Sequence, residues 1–460
     1  MAGVRVLIIG GGLSGSLLAN GLLNNGIDFA LYERDSEDTK REGYQIRLGE
    51  WAMVGFKACL TQDRLTKIVN KLGQNMGVSQ AAPSVHNSRF EEILDFSTVP
   101  SYAKTSAINR VVLRNLLLEP VKEKNAVLFD KYLESYEIVT ENGRERVKAN
   151  FADGTSDVGD ILVGADGNRS RINAQLGLNN IVLLDKFWGF LSKGKLPYDL
   201  MKTLPQKLRR GPIVTFAKGG TLFYAFYLPP KFDANGIQTD ASQPITYNED
   251  AASFYWGLNI PTDAIPDPSN VPDKLQLCLD YIKDWAPEYH ALLGATRQDK
   301  DAADIMVTQL RAAHRPAARW REKSAKSGDI KQGHPRVWLI GDAIHAMQPN
   351  RCHHFHRGAG GNTALADTAD LLPQLLHLNA LAKSRPDNSV TTAEAKTAVD
   401  AYESAMLPRA FRWVAKSGGV NIPTFHLDGW FGSLVKIGGK LVIPFLRLYA
   451  SLFNSKPKQD

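Results

Sequence analysis

Gly10, Gly12 and Gly15, followed by the carboxylate of Glu33, form the pattern in this 460-residue chain that most directly implies chemistry. In Gly10-x-Gly12-x-x-Gly15 the first glycine permits a tight turn. The second lets backbone approach a pyrophosphate, and the third lets a helix pack closely on a strand. A pyrophosphate held this way meets helix N-terminal amides, whose unpaired N–H groups and dipole favour negative charge. Glu33 stands eighteen residues after Gly15, where an acidic side chain binds ribose hydroxyls. A carboxylate there repels a 2′-phosphate, which disfavours NADP at this site. FAD and NAD both remain open on these residues alone.

These groups need a βαβ unit to position them. Val4–Ile9 is apolar except for Arg5, as expected of a parallel strand buried on both faces. A helix is expected from Leu13 to Asn25, closed by Gly26, and a second strand over Phe29–Glu33. Strand-like runs recur in Val127–Phe151, at Asp160–Val163 before Gly164-Ala165-Asp166-Gly167, and at Val337–Ile340 before Gly341-Asp342. Between them, Ile213–Ala217, Thr221–Leu228 and Ser253–Leu258 are rich in aromatic and β-branched residues and predict an antiparallel sheet. Helices are expected over Leu275–Leu293, from Asn362 to about Leu378, and over Ala393–Lys416.

The fold class is therefore α/β: a Rossmann-like domain interrupted by an antiparallel-sheet domain, with a helical C-terminal tail. The boundaries read as 1–180 and 316–415 for the two parts of the cofactor domain, 181–315 for the inserted substrate domain, and 416–460 for the tail. Lys436, Lys440, Pro444 and Arg447 interrupt the apolar Trp430–Phe453 run, which argues against a membrane span. The tail reads as a partly amphipathic helix packed on the protein, with a surface-lying membrane contact as the alternative.

The net charge of +7 is spread along the chain with no block of like charges, which argues against a nucleic-acid partner. Cys59, Cys278 and Cys352 are sparse and odd in number, as expected of a cytoplasmic protein without a disulfide framework. The early strand leaves no room for a signal peptide.

Ile161-Leu162-Val163-Gly164-Ala165-Asp166-Gly167-x-x-Ser170 and Val337-Trp338-Leu339-Ile340-Gly341-Asp342-Ala343-Ile344-His345-Ala346-Met347-x-Pro349 resemble the later fingerprints of the group A flavoprotein monooxygenases, the para-hydroxybenzoate hydroxylase fold. Arg110-x-x-Leu113-Arg114-x-x-Leu117, Gly358-x-Gly360-x-Asn362-x-Ala364-Leu365-x-Asp367, and Tyr402-Glu403-x-x-Met406 with Arg409 are similar to three further stretches of that family, in the same order. Within it the chain looks closest to fungal enzymes of natural-product (secondary metabolite) pathways. The resemblance implies an oxidoreductase with FAD as cofactor and NADPH or NADH as transient co-substrate. It implies that Asp342 bonds the ribityl hydroxyls and Arg110 the pyrophosphate or ribityl chain. Asp166 would order the pyrophosphate region, and the helix at Gly360-Gly361-Asn362 would point its positive end at the isoalloxazine. The full cofactor set is Gly10, Gly12, Leu13, Ser14, Gly15, Glu33, Arg34, Gly43, Tyr44, Arg110, Asp166, Asp342, Gly360, Gly361 and Asn362. No metal is expected. His345 reads as structural. Arg47 and Tyr224 are the candidates for a catalytic role, and no side chain stands out as catalytic base.

The implied reaction is oxygenation of an apolar aromatic, polyene or indole intermediate by dioxygen through a flavin C4a-hydroperoxide, in a dry cavity. Two features depart from the pattern. The loop Asn350–Arg357 is longer than the resemblance predicts, and Asn173 stands where the family usually has arginine. Two other readings compete. A flavin-dependent halogenase carries W-x-W-x-I-P, of which Trp256-Gly257-Leu258-Asn259-Ile260-Pro261 lacks the second tryptophan. A flavin-binding pseudo-enzyme, spoiled by the lengthened loop, is the other.

Overall fold

A computed structural model of the chain describes residues 3–39, 45–73, 81–99, 105–228, 252–298, 305–348, 359–420 and 426–453, with side chains up to residue 446 in the last stretch. The chain divides into two compact units. The first comprises 1–70, 110–183 and 311–421, and the second 71–109, 184–310 and 422–460.

Val6, Leu7 and Ile8 have no exposure, because their strand, Arg5–Ile9, lies in the middle of the first unit's sheet. That sheet has five strands in the spatial order Val337–Leu339, Ile161–Gly164, Arg5–Ile9, Asp28–Tyr32 and Val127–Leu128. All of its pairings are parallel. Parallel strands must be covered on both faces, which explains their continuous apolar runs. The two N-terminal strands lie within one residue of the expected bounds.

The helix Leu13–Asn24 follows the glycine turn, and the 25-residue helix Ala359–Lys383 packs against it and against Glu50–Cys59. Close approach is possible because Gly55 faces the Leu365 carbonyl: a Cβ at that glycine would lie 2.0 Å from the oxygen. An antiparallel sheet of three strands, Leu133–Glu141, Arg144–Phe151 and Ser156–Gly159, completes this unit. The α/β architecture with an interrupting antiparallel sheet is as the motifs led us to expect.

The second unit is organised on the seven-stranded sheet, whose central strands are Ile181–Lys195, Ser253–Pro261, Gly220–Tyr227 and Ile213–Ala217. One face carries Leu222, Tyr224, Phe226, Phe254 and Trp256 into an apolar core shared with Leu275, Cys278, Tyr289 and Leu292. The expected helix over Leu275–Leu293 is in fact two, Lys274–Tyr281 and Pro287–Gly294. Pro287 has no N–H to donate and holds Ala286 extended at φ −58°, ψ 149°, so the run breaks there. Ser84–His86 and Glu92–Asp95 extend the sheet at its edge, so residues 71–109 group with this unit although the sequence assigns them to the first cofactor segment. The tail forms the expected helix, Trp430–Phe453.

The late helix Thr392–Lys416 is held to the first unit by a buried ion pair. Glu403 accepts from Arg321 Nε at 2.9 Å, Arg321 Nη2 at 2.8 Å and Trp320 Nε1 at 3.0 Å. The two charged side chains are 7% and 9% exposed. Removing one partner leaves the other charge buried and unpaired. Glu403→Ala should therefore cost about 3–5 kcal/mol of stability, read as a lowered urea midpoint.

Candidate functional site

The glycine turn forms as its spacing requires. Gly10 has φ +110°, and a Cβ there would lie 2.3 Å from the Ala165 carbonyl oxygen. A Cβ on Gly15 would lie 2.1 Å from the Gly10 carbonyl oxygen, so only glycine lets the helix start this close to the strand. Gly12 is the N-cap of the first helix, and no side chain caps it. A Cβ on Gly12 would meet nothing within 4 Å, which leaves open space over the amides that follow, at Leu13 and Ser14. That space and those unpaired donors suit a pyrophosphate.

Glu33 is buried at the end of the second strand. It accepts from the Gly11 amide at 2.9 Å and the Asp35 amide at 3.1 Å. Arg114, not assigned a role from sequence, donates from Nε to the Gly11 carbonyl at 2.6 Å and lies 3.3 Å from Glu33. The signal was present: Arg114 stands one helical turn after Arg110, on the same face. Glu33 thus holds the turn from Gly11 to Asp35 in place. Arg34 is exposed, 3.5 Å from Asp35.

At the other end of the site, Gly341 has φ +63°, ψ −140°, a conformation available in practice only to glycine. Asp342 follows at the end of its strand. No hydrogen-bond donor among the described residues reaches its half-buried carboxylate, and burial raises its pKa. Arg110 acts on it from the opposite sense, lowering that pKa through charge. A desolvated carboxylate without a donor suits a ligand that brings hydroxyl groups. Asn362 accepts from the Gly49 amide at 2.7 Å and donates to the Arg47 carbonyl at 2.7 Å, and so pins the segment of buried Arg47 to the helix start. Beside Gly360 and Gly361 a Cβ would meet nothing closer than 3.5 Å, so the backbone of this first turn is approachable.

Asp166 accepts from Arg171 N at 2.9 Å, at the start of the helix Arg171–Gln175 that Ser170 caps, while its other oxygen is buried with no partner among the described residues. Asn173, in place of the family's arginine, donates to the Ala343 carbonyl at 2.8 Å and to Asn180 at 2.8 Å. Asn180 in turn donates to the Ile344 carbonyl at 2.9 Å. The departure from the pattern thus carries a positioning role: it fixes the backbone just after Asp342. Tyr224, the aromatic candidate, lies in the second unit's helix-facing core, and its hydroxyl has no partner among the described residues. Gly43, Tyr44 and the lengthened loop from Pro349 to Gly358 lie outside the described residues.

Behind Asp342 a network built on the fully buried Asp367 and His345 joins the motifs. Asp367 accepts from the Gly341 amide at 2.9 Å and from Arg409 at 2.8 Å, and lies 2.6 Å from His345 Nε2. Burial works to lower the His345 pKa, but the Asp367 carboxylate outweighs it and holds the imidazole above its ordinary 6.5. Burial works to raise Asp367, but His345 and then Arg409 hold it below 3.8.

A turn for pyrophosphate, an acid for ribose and, after the edge strand of the sheet, a carboxylate without a donor among the described residues suit a dinucleotide of the flavin type. The FAD binding domain family matches residues 3–191. The FAD-dependent monooxygenase dbaB of Emericella nidulans is 25% identical over 417 residues, covering 87% of this chain and 95% of that protein. The dual O-methyltransferase/FAD-dependent monooxygenase elcB of Phaeosphaeria nodorum is 24% identical, over 80% of this chain but only 39% of that longer protein. Among solved structures, Klebsiella pneumoniae HpxO complexed with FAD and uric acid superposes with a TM-score of 0.64 at 17% identity, covering 96% of this chain and 95% of that one. The chain is similar to fungal FAD-dependent monooxygenases over most of its length, matches an FAD binding domain over residues 3–191, and shares the fold of HpxO.

Two outcomes follow from this geometry. Glu33→Ala should weaken FAD binding about ten- to hundredfold, the worth of charged hydrogen bonds lost at a buried site, measured by fluorescence titration of apoprotein. The His345–Asp367 pair should give a stability plateau between its ordinary values of 3.8 and 6.5. Stability should fall on the acid side as pH drops through the depressed Asp367 value, and on the alkaline side as pH rises through the raised His345 value. In His345→Gln the alkaline fall should flatten, read from melting temperatures across pH.

Proposed function

We propose that the chain is an FAD-dependent monooxygenase that uses NAD(P)H and dioxygen to hydroxylate or epoxidise an apolar aromatic, polyene or indole intermediate. The observation that carries this reading is the Asp342 carboxylate, desolvated and without a donor among the described residues, beside the glycines that open the Ala359–Lys383 helix and near the glycine turn. The monooxygenase relatives support the reaction class. When bound, FAD supplies two-electron transfer from the nicotinamide and activation of dioxygen at its C4a carbon.

The chain's own residues hold and bias that group. Asp342 would receive the ribityl hydroxyls, and Glu33 the ribose. The positive end of the Ala359–Lys383 helix would favour negative charge on the reduced ring. Asn362 holds that helix start against the Arg47–Gly49 backbone, so the field is aimed before substrate arrives. In the second unit, the sheet face opposite the helix-packed core carries Val214, Phe223, Ala225 and Tyr255, with Phe223 and Tyr255 rings 5.8 Å apart. An apolar, aromatic wall of this kind supports an apolar substrate and the exclusion of water. Tyr224 points to the other face and is not assigned to substrate. The sparse free cysteines, Cys59 and Cys278 both buried, support a cytoplasmic setting.

The test is turnover by purified flavin-loaded protein with NADPH or NADH, a panel of aromatic and polyene substrates, and chloride or bromide present. Substrate-stimulated nicotinamide oxidation with a product heavier by one oxygen atom is expected. A halogenated product, or flavin retention with no nicotinamide oxidation for any substrate, would sink the proposal.

A further inference from the structure

The helix Trp430–Phe453 carries its amphipathicity the wrong way round for a protein in water. Its contact with the rest of the second unit runs along Gly432, Lys436, Gly439 and Ile443, at helical spacing on one side. A Cβ on Gly439 would lie 2.8 Å from Leu94 of the strand Glu92–Asp95, and Lys436 lies 3.9 Å from Glu91. The preceding turn is anchored by Asp428, which accepts from Ser88 N at 2.8 Å and Ser88 Oγ at 2.7 Å. Two glycines, a lysine and a single large apolar residue, Ile443, thus face the protein. The opposite stripe, Trp430, Leu434, Ile437, Leu441 and Phe445, is 79%, 59%, 58%, 62% and 72% exposed. Five large apolar side chains in one row are an interaction surface and not scattered surface residues.

The charges choose the occupant. From Trp430 to Lys458 the sequence contains Lys436, Lys440, Arg447, Lys456 and Lys458 and no acidic residue. The acids on the neighbouring strand are already engaged: Lys207 pairs with Glu92 and Asp95, and Lys436 with Glu91. A second copy of the same face would set Lys440 against its equivalent, with no acidic residue between 430 and 446 to receive it. No helix among the described residues is long and apolar enough to cross a membrane. A basic helix with an exposed apolar stripe headed by tryptophan matches the interfacial layer of an anionic bilayer.

We propose that Trp430–Phe453 is a membrane-surface docking helix. It lies flat in an anionic bilayer, with the Trp430–Phe445 stripe among the upper acyl chains and Lys440 at the phosphate level. At 24 residues it would cover roughly 36 Å of membrane surface. Docking is independent of flavin chemistry, so its failure would leave the proposed reaction standing.

The experiment is co-sedimentation of the full chain with phosphatidylcholine vesicles, with and without phosphatidylserine. We expect binding to the phosphatidylserine vesicles, about tenfold or more above that to neutral ones and weakened by salt. Ile437→Glu with Leu441→Glu should reduce binding more than tenfold at unchanged melting temperature, since both side chains are exposed. Lys440→Glu should erode the preference for phosphatidylserine. Three results would overturn the proposal: no sedimentation with either vesicle, equal binding by the double variant, or equal binding to neutral and anionic vesicles. So would a vesicle-indifferent dimer that the double variant converts to monomer.

Discussion

A single carboxylate with no access to water, Asp367, holds the cofactor site of the first unit in shape. It takes the Gly341 amide, the His345 imidazole and the Arg409 guanidinium at once. A buried charge without such partners would cost several kcal/mol, so each of the three is obliged to stay. Through them the end of one strand, the long helix that follows it and the late helix are tied to a common point. Arg409 also reaches Asp370 at 2.6 Å, and Tyr402 donates to the Leu339 carbonyl at 2.9 Å. Asp342 sits at the edge of this rigid cluster. Its own burial works against it: above its ordinary pKa of 3.8 the raised value is a cost to the folded state. A ligand with hydroxyl donors would relieve that cost, so the energetics of the cluster and of cofactor binding are one problem.

The second set of constraints is steric. Gly10 and Gly15 approach backbone atoms so closely that any side chain would collide, and Gly341 adopts a dihedral pair closed to other residues. These close approaches set the height of the first helix over the sheet. Asn173 and Asn180 then fasten the Ala343–Ile344 backbone to the neighbouring strand connection. Where relatives are expected to carry arginine, this chain uses a shorter amide to bind its own backbone. The surroundings of Asp342 are therefore held from two sides, by an ionic cluster and by a pair of buried amides.

The second unit shows a division of labour between the two faces of one sheet. Alternation along Gly220–Tyr227 sends Leu222, Tyr224 and Phe226 into the helix-packed core and Phe223, Ala225 and Tyr227 to the other side. Both faces are apolar, so the sequence pattern alone does not say which one packs on helices. The hydroxyl of Tyr224 illustrates the ambiguity. As a polar atom among aromatic residues it suggests a ligand contact, yet it lies in the core among residues such as Phe254, with ring centroids 5.8 Å apart.

By itself the sequence determined the βαβ unit, the later motifs and the order in which they occur. Those signals are local: glycines that a turn demands, apolar runs that a parallel sheet demands, an acid at a fixed offset. It also singled out Asp342 and Asn362 as candidates for a cofactor site, because their motifs are short and contiguous. Only the tertiary structure decided the partners of Asp367, the clasp of Arg114 over Glu33 and Gly11, and the role of Asn173, since each joins residues far apart in the chain. The break at Pro287, the assignment of 71–109 to the second unit and the outward turn of the Trp430–Phe445 stripe were likewise beyond its reach. A periodic pattern fixes that a helix has two faces. Which face is covered depends on what the rest of the chain presents to it, here the edge strand that Gly439 approaches.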